Sequence, residues 1–363
     1  MVTSKVKQIH DFGQSIWLDF IDRKIIFSGE LKKLIEEDGL RGVTSNPAIF
    51  EKAISSSSDY DEDIAQLSKS DKTNEEIFFS IAVEDIKLAC DLLAPVYNEE
   101  GVVGADGYVS LEVSPFLALD TQATIKQARE LWRQVGKENV MIKIPGTESG
   151  LIAFETAISE GINVNVTLLF SLDRYKAVAE AYISGLEKRA ADGLPVDHIS
   201  SVASFFLSRI DILVDPFLDQ KGLGDLRGQV AIASAKTAYQ IYKRMFSTDR
   251  WKKLAEKGAV PQRLLWASTS SKDPAFKDTR YIEALIGPDT VNTIPMETLQ
   301  AFRDHGDPAS RLEEDIDGAA GILERIKVAG IDMDAVATQL EEEGIDKFSK
   351  PFQQLLDAIE RQK

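Results

Sequence analysis

Eight short apolar runs, at residues 15–20, 42–46, 107–113, 139–145, 162–170, 199–206, 263–270 and 290–295, alternate with stretches of helical periodicity along most of the chain. Strands joined through helices pair in parallel, and a parallel sheet needs helices on its faces. Eight such units without a composition break predict one closed (β/α)8 TIM barrel of the α/β class, not an open doubly wound sheet. Residues 1–363 are read as one barrel domain with a helical insertion at about 48–97 and extra C-terminal helices at about 310–363. With 363 residues and 44% hydrophobic content, the chain can bury a core of that size.

The clearest helix signal spans residues 121–135. Asp120 is placed to cap it, Ile125, Ala128, Leu131, Trp132 and Val135 form one apolar stripe, and Gly136 follows as a stop. Ser171 likewise opens a helix running to about Ala191. The region 308–363 is helical and rich in Asp and Glu, which reads as a solvated packing face.

The run Asn139-Val140-Met141-Ile142-Lys143-Ile144-Pro145 carries a lysine inside what otherwise reads as a buried parallel strand. Alternation sends Val140, Ile142 and Ile144 to one face and Met141 and Lys143 to the other. Pro145 and the Gly146-Thr147 turn end the strand, so Lys143 lies at its C-terminal end. The same parity in the other strands leaves Asp19, Asn46, Glu112, Asn165, Thr167 and Ser204 pointing inward near the C-terminal mouth. Barrel interiors are filled mainly by apolar side chains, so hydrogen-bonding groups at one end of six strands imply a site.

Composition narrows the chemistry. A formal net charge of −17 argues against nucleic-acid or anionic-membrane partners, and an anionic substrate then requires a local cluster of cations. The polar N-terminus lacks the apolar core of a signal peptide, and no run reaches the roughly 20 apolar residues of a membrane span, so a cytoplasmic protein is expected. The one cysteine, Cys90, excludes an internal disulfide framework and reads as a buried structural thiol. His10, His198 and His305 have no ligand-like spacing, so no metal is expected; they read as surface or loop histidines. Gly222, Gly224 and Gly228 follow no strand and read as loop glycines, leaving no dinucleotide-cofactor signature.

A lysine among Met141 and other apolar groups has its ammonium form disfavoured, and a free amine attacks a ketone to form a Schiff base. Asp19 and Glu112 can move the protons this requires, directly or through a water oriented by Thr167, while Asn46, Asn165 and Ser204 would hold substrate hydroxyls.

The segments Ile16-Trp17-Leu18-Asp19, Val43-Thr44-Ser45-Asn46-Pro47, VMIKIPG at 140–146 and NVNVTLLF at 163–170 closely resemble the transaldolase family, of the larger bacterial type, in order and position from about Asp11 to Ser271. The resemblance implies a class I aldolase-type barrel without a cofactor, carrying a dihydroxyacetone unit as a Schiff base on Lys143. Its phosphorylated ketose donor would be sedoheptulose 7-phosphate or fructose 6-phosphate, and its phosphorylated aldose acceptor glyceraldehyde 3-phosphate or erythrose 4-phosphate, in the pentose phosphate pathway. It further implies Asp19 as the acid/base for carbon–carbon cleavage, Glu112 with Thr167 as the pair orienting a catalytic water, and Asn46, Asn165 and Ser204 as hydroxyl-binding groups.

Arg209 resembles the family's phosphate-binding arginine. Where many members carry a second arginine after strand seven, this chain reads Ser268-Thr269-Ser270-Ser271-Lys272, so Lys272 is its natural substitute. A fructose 6-phosphate aldolase-type lyase and a non-catalytic sugar-phosphate-binding barrel are the competing readings. The sequence leaves oligomeric state and the position of the C-terminal helices open.

Overall fold

The computed structural model describes residues 4–102 and 104–362. Its eight parallel strands are β1 Gln14–Leu18, β2 Gly42–Thr44, β3 Tyr108–Glu112, β4 Val140–Pro145, β5 Val164–Leu169, β6 Ser201–Phe206, β7 Arg263–Ala267 and β8 Thr290–Ile294. They pair in sequence order, and β8 returns to β1 with Trp17 opposite Thr293, which closes the cylinder. The architecture is the (β/α)8 barrel expected from the alternation.

Local chemistry sets the helix ends. Asp120 accepts a 3.0 Å hydrogen bond from the Ala123 backbone N–H, and Gly136 takes a left-handed φ of 60°, bounding the helix Thr121–Val135 as read from sequence. Ser171 caps Leu172–Ala191 through the Arg174 N–H at 2.9 Å. The insertion is three helices, Pro47–Ser55, Asp61–Leu67 and Asn74–Tyr97, the last opened by a reciprocal Thr73/Glu76 capping box.

The N-terminal end of the barrel is plugged by Trp17, whose Nε1–H donates to Asp106 at 2.8 Å. A methyl group on Gly42, in the adjoining strand, would lie 2.6 Å from the Trp17 ring; the missing side chain makes room for the indole. Arg263 joins this floor by donating to Ser15 Oγ at 2.9 Å. The polar layer described below therefore rests on a closed base.

The C-terminal helix Met333–Gln362, read as a solvated packing face, buries its inner stripe against Pro47–Ser55, Asn74–Tyr97, Ser208–Gln220 and β5, and it lies over the barrel mouth, a position the sequence left open. Asp334, Glu342, Asp346, Asp357 and Glu360 are exposed, while Phe348 and Phe352 on the opposite stripe are 6% and 1% exposed. Phe352 meets the rings of Phe78, Phe79 and Phe116 at 5.3–6.2 Å. His10, read as a surface or loop histidine, is half-buried: it lies in the 3-10 turn Ile9–Phe12 with its Nε2 buried and without a hydrogen-bond partner. Burial, then Arg41, holds its pKa below the usual value. His198 and His305 are surface residues, beside Asp197 and Asp278 respectively.

Cys90 is buried, and burial pushes its thiol far up. Among the described residues, no helix is long and apolar enough to cross a membrane.

Candidate active site

Strand register assembles the polar layer. Glu112 of β3 stands opposite Lys143 of β4, and Lys143 opposite Asn165 of β5, so three polar side chains from adjacent strands share one rung inside the barrel. Lys143 and Glu112 are each 5% exposed, and Lys143 Nζ lies 3.4 Å from Glu112 Oε2. The amine also donates to the Ser45 carbonyl at 3.2 Å. Lys143 is thus not held among apolar groups around Met141, as its strand alone suggested. The curvature of the barrel brings β2 and β3 groups across to it.

Glu112 accepts no well-formed hydrogen bond. Burial pushes its carboxyl up to about 7 against the opposing pull of Lys143. Asp19, just beyond β1, accepts from Thr44 Oγ1 at 2.8 Å, and Thr44 pairs with Thr293 Oγ1 at 2.7 Å. Burial raises Asp19 as well, partly offset by Lys143 and by the Thr44 hydrogen bond. Two acids biased toward their protonated forms therefore flank one amine.

A cleft of about 420 Å³ opens above this layer, lined by Asp19, Asn46, Lys143, Ser204, Arg209 and Lys272 among others. Asn46 caps the helix Pro47–Ser55 by accepting the Ile49 N–H at 3.0 Å, which anchors its side chain at the rim. Asn165 sits lower. Its Nδ2 donates to Ser110 Oγ at 3.0 Å and its Oδ1 accepts from Ser204 Oγ at 2.7 Å, so it reaches the cleft through Ser204. Thr167 is fully buried, and its Oγ1 makes no hydrogen bond among the described residues.

The far end of the cleft is cationic. Arg209 stacks over Phe206 and Phe348 with its Cζ 5.3 Å and 5.8 Å from the ring centroids, and its Nη1 is buried without a partner. Lys272, exposed on the β7 side, shares this end with Ser208, Ser268 and Ser270. Ser268, in the cleft lining, and Leu168, where the pairing of β5 with β6 shifts register, adopt left-handed φ values of 54° and 62°. Such backbone is costly for residues with side chains and is held only where its surroundings demand it.

The sequence pattern described as "Transaldolase/Fructose-6-phosphate aldolase" matches residues 16–359. The chain belongs to that family. Among its relatives, the "Transaldolase" of Trichodesmium erythraeum is 51% identical over 99% of this chain and 98% of that protein. "Transaldolase 2" of Nostoc sp. is 50% identical over the same shares. The "Transaldolase" of Thiobacillus denitrificans is 46% identical over 97% of this chain and 99% of its own length. The match to the transaldolase/fructose-6-phosphate aldolase family thus includes the C-terminal segment that carried no signal in the sequence reading.

All nine residues singled out in the sequence fall in or beneath one mouth. Several lining groups had no local signal: Phe206 reads as an ordinary strand residue, and Lys347 and Phe348 lie in the C-terminal helix more than 200 positions from Lys143 in the chain. Phe348 places its ring 5.6 Å from Lys143 Nζ, so the C-terminal helix roofs the amine.

Proposed function

We propose that this chain is a transaldolase, a transferase that moves a dihydroxyacetone unit from sedoheptulose 7-phosphate to glyceraldehyde 3-phosphate through a Schiff base on Lys143. The observation carrying this reading is a buried amine 3.4 Å from a carboxyl that burial pushes up to about 7, in a cleft whose other end presents a guanidinium nitrogen without a hydrogen-bond partner.

Lys143 Nζ attacks the donor's ketone carbon. Glu112, through a water shared with Thr167, delivers a proton to the carbinolamine oxygen, which leaves as water. The resulting iminium is the electron sink, so the chemistry requires no metal. Asp19 takes the proton of the C4 hydroxyl as the C3–C4 bond breaks, the bonding electrons pass to the iminium, and the shortened aldose phosphate departs. The three-carbon enamine then adds to the acceptor aldehyde by the reverse steps, giving fructose 6-phosphate after hydrolysis, with erythrose 4-phosphate as the first product.

In this scheme Asn46, Ser204 and, through Ser204, Asn165 orient the sugar hydroxyls, while Arg209 and Lys272 bind the terminal phosphate. The place of the reaction would be the non-oxidative pentose phosphate pathway, in a reducing cytoplasm compatible with one buried thiol.

The test is borohydride reduction with fructose 6-phosphate, followed by peptide mass mapping. Added mass on the peptide containing Lys143 is expected; label elsewhere, or none, rejects the assignment. Omitting the acceptor aldehyde should stall turnover, whereas steady release of free dihydroxyacetone would identify a lyase.

A further inference from the structure

The phosphate end of the cleft is bounded on one side by the C-terminal helix, which contributes Lys347 and Phe348 to its lining beside Arg209, Lys272, Ser208, Ser268 and Ser270. Lys347 is not free to any anion that enters. Its Nζ donates at 2.8 Å to Oε2 of Glu343, one helical turn earlier, and Gln339 Nε2 holds the other oxygen at 2.9 Å. Gly344, the next residue, runs so close to the barrel that a methyl group on it would lie 2.9 Å from Leu168 Cδ2 and 3.7 Å from Arg209 Nη1. A carboxylate is therefore carried on the helical turn that passes the arginine nitrogen without a hydrogen-bond partner.

We propose that Lys347 is a further phosphate-contacting cation, and that Glu343 sets phosphate affinity by competing with the substrate's phosphate for Lys347 and by opposing the charge of Arg209. The proposal deepens the transaldolase reading and rests on it for the identity of the ligand, a phosphate monoester at the end of a sugar chain.

The physical reasoning is one of competing anions. Glu343 remains ionised, because the hydrogen bonds from Lys347 and Gln339, in that order, hold its carboxyl below the usual range, with Arg209 adding to the effect. Lys347 and Glu343 have side chains 53% and 39% exposed, and an exposed pair one turn apart is weakly bound. A phosphate of about −1.5 to −2 charge, seated between Arg209 and Lys347, attracts the ammonium more strongly than one carboxylate does. The pair thus keeps Lys347 extended along the helix toward the cleft and leaves the exchange of partners inexpensive. It also tempers the cationic end, so that phosphate binds and leaves within a turnover.

The experiment measures binding of inorganic phosphate to the full chain by calorimetry, in wild type and in Glu343→Gln, Lys347→Met and Lys347→Arg. Glu343→Gln should tighten phosphate binding by roughly threefold to tenfold, and Lys347→Met should weaken it by a similar factor, the range for one charge at a half-exposed position. Lys347→Arg should restore affinity to near wild type. Both shifts should shrink as ionic strength rises. A parallel readout is the ratio of kcat/KM for fructose 6-phosphate over unphosphorylated fructose, which should rise in Glu343→Gln and fall in Lys347→Met.

Shifts of the same sign in both variants, or no shift in either, overturn the proposal; a purely structural role for the pair would weaken binding in both. The outcome is separable from the reaction assignment, since phosphate affinity is read without turnover and the Lys143 adduct is read by mass.

Discussion

Lys143 and Glu112 face each other at 3.4 Å in a layer nearly closed to solvent, so their protons cannot be assigned independently. The proposed scheme uses this coupling: the group that receives a proton as the amine becomes nucleophilic is the group that later gives it to the carbinolamine oxygen. Lys143→Ala should therefore reduce turnover to background, since it removes the amine that the scheme uses as nucleophile. Glu112→Gln keeps the shape and removes the titrating proton, and should lower kcat by roughly 10² to 10⁴ with a smaller change in KM. Steady-state kinetics in the presence of acceptor checks both, and near-wild-type kcat in Glu112→Gln would remove that carboxyl from the mechanism. Thr167 illustrates what parity reveals: its inward direction was legible from period two, and the structure adds that its buried hydroxyl makes no hydrogen bond among the described residues.

At the scale of elements, the barrel strands and the C-terminal helix have different tasks. The strands hold the reacting groups by register, which tolerates little change. The helix Met333–Gln362 roofs the mouth through Phe348, whose ring lies within 5.6 Å of Lys143 Nζ and 5.8 Å of Arg209 Cζ. Phe348→Ala should destabilise the fold by about 2–4 kcal/mol through the cavity it leaves. It should also admit water to the intermediate, raising hydrolytic release of dihydroxyacetone relative to transfer. Product analysis with limiting acceptor measures that ratio, and an unchanged ratio would show that the ring does not shield the intermediate. At the opposite end, Gly42→Ala drives a methyl group into Trp17 and should cost about 1–3 kcal/mol by overpacking, read from chemical denaturation. The ends of the helix Thr121–Val135 were legible because a cap, a stripe and a stop glycine are local signals. The position of the C-terminal helix was not, because an amphipathic stripe says that a face is covered and not by what.

For the molecule as a whole, buried carboxyls tie stability to pH. Burial pushes Glu112 up to about 7 and, against opposing Arg23 and Tyr60, Asp85 to about 6; burial also raises Asp211 to about 6 despite hydrogen bonds from the Ala231 N–H and Tyr281. Each folded value lies above the unfolded one, so the native state binds more protons between them. The stability these groups contribute is fully present below about pH 4 and is lost as pH rises through about 6 to 7, at up to about 1.4 kcal/mol per pH unit for each proton. The thermal midpoint should accordingly fall between pH 5 and pH 8, and Glu112→Gln should flatten the upper part of that fall; a midpoint that rises over this range would contradict the assignment. By itself the sequence determined the alternation of eight strands with helices, the inward parity of Asp19, Glu112, Lys143, Asn165, Thr167 and Ser204, and the helix caps, because period, turn chemistry and capping act over a few residues. Only the tertiary structure decided that Ser45 and Glu112 surround the amine, that Asn165 reaches the cleft through Ser204, and that Phe348 and Lys347 close over the mouth. Those contacts join positions far apart in the chain, and they exist only once barrel closure and shear have set which rung of each strand meets its neighbour.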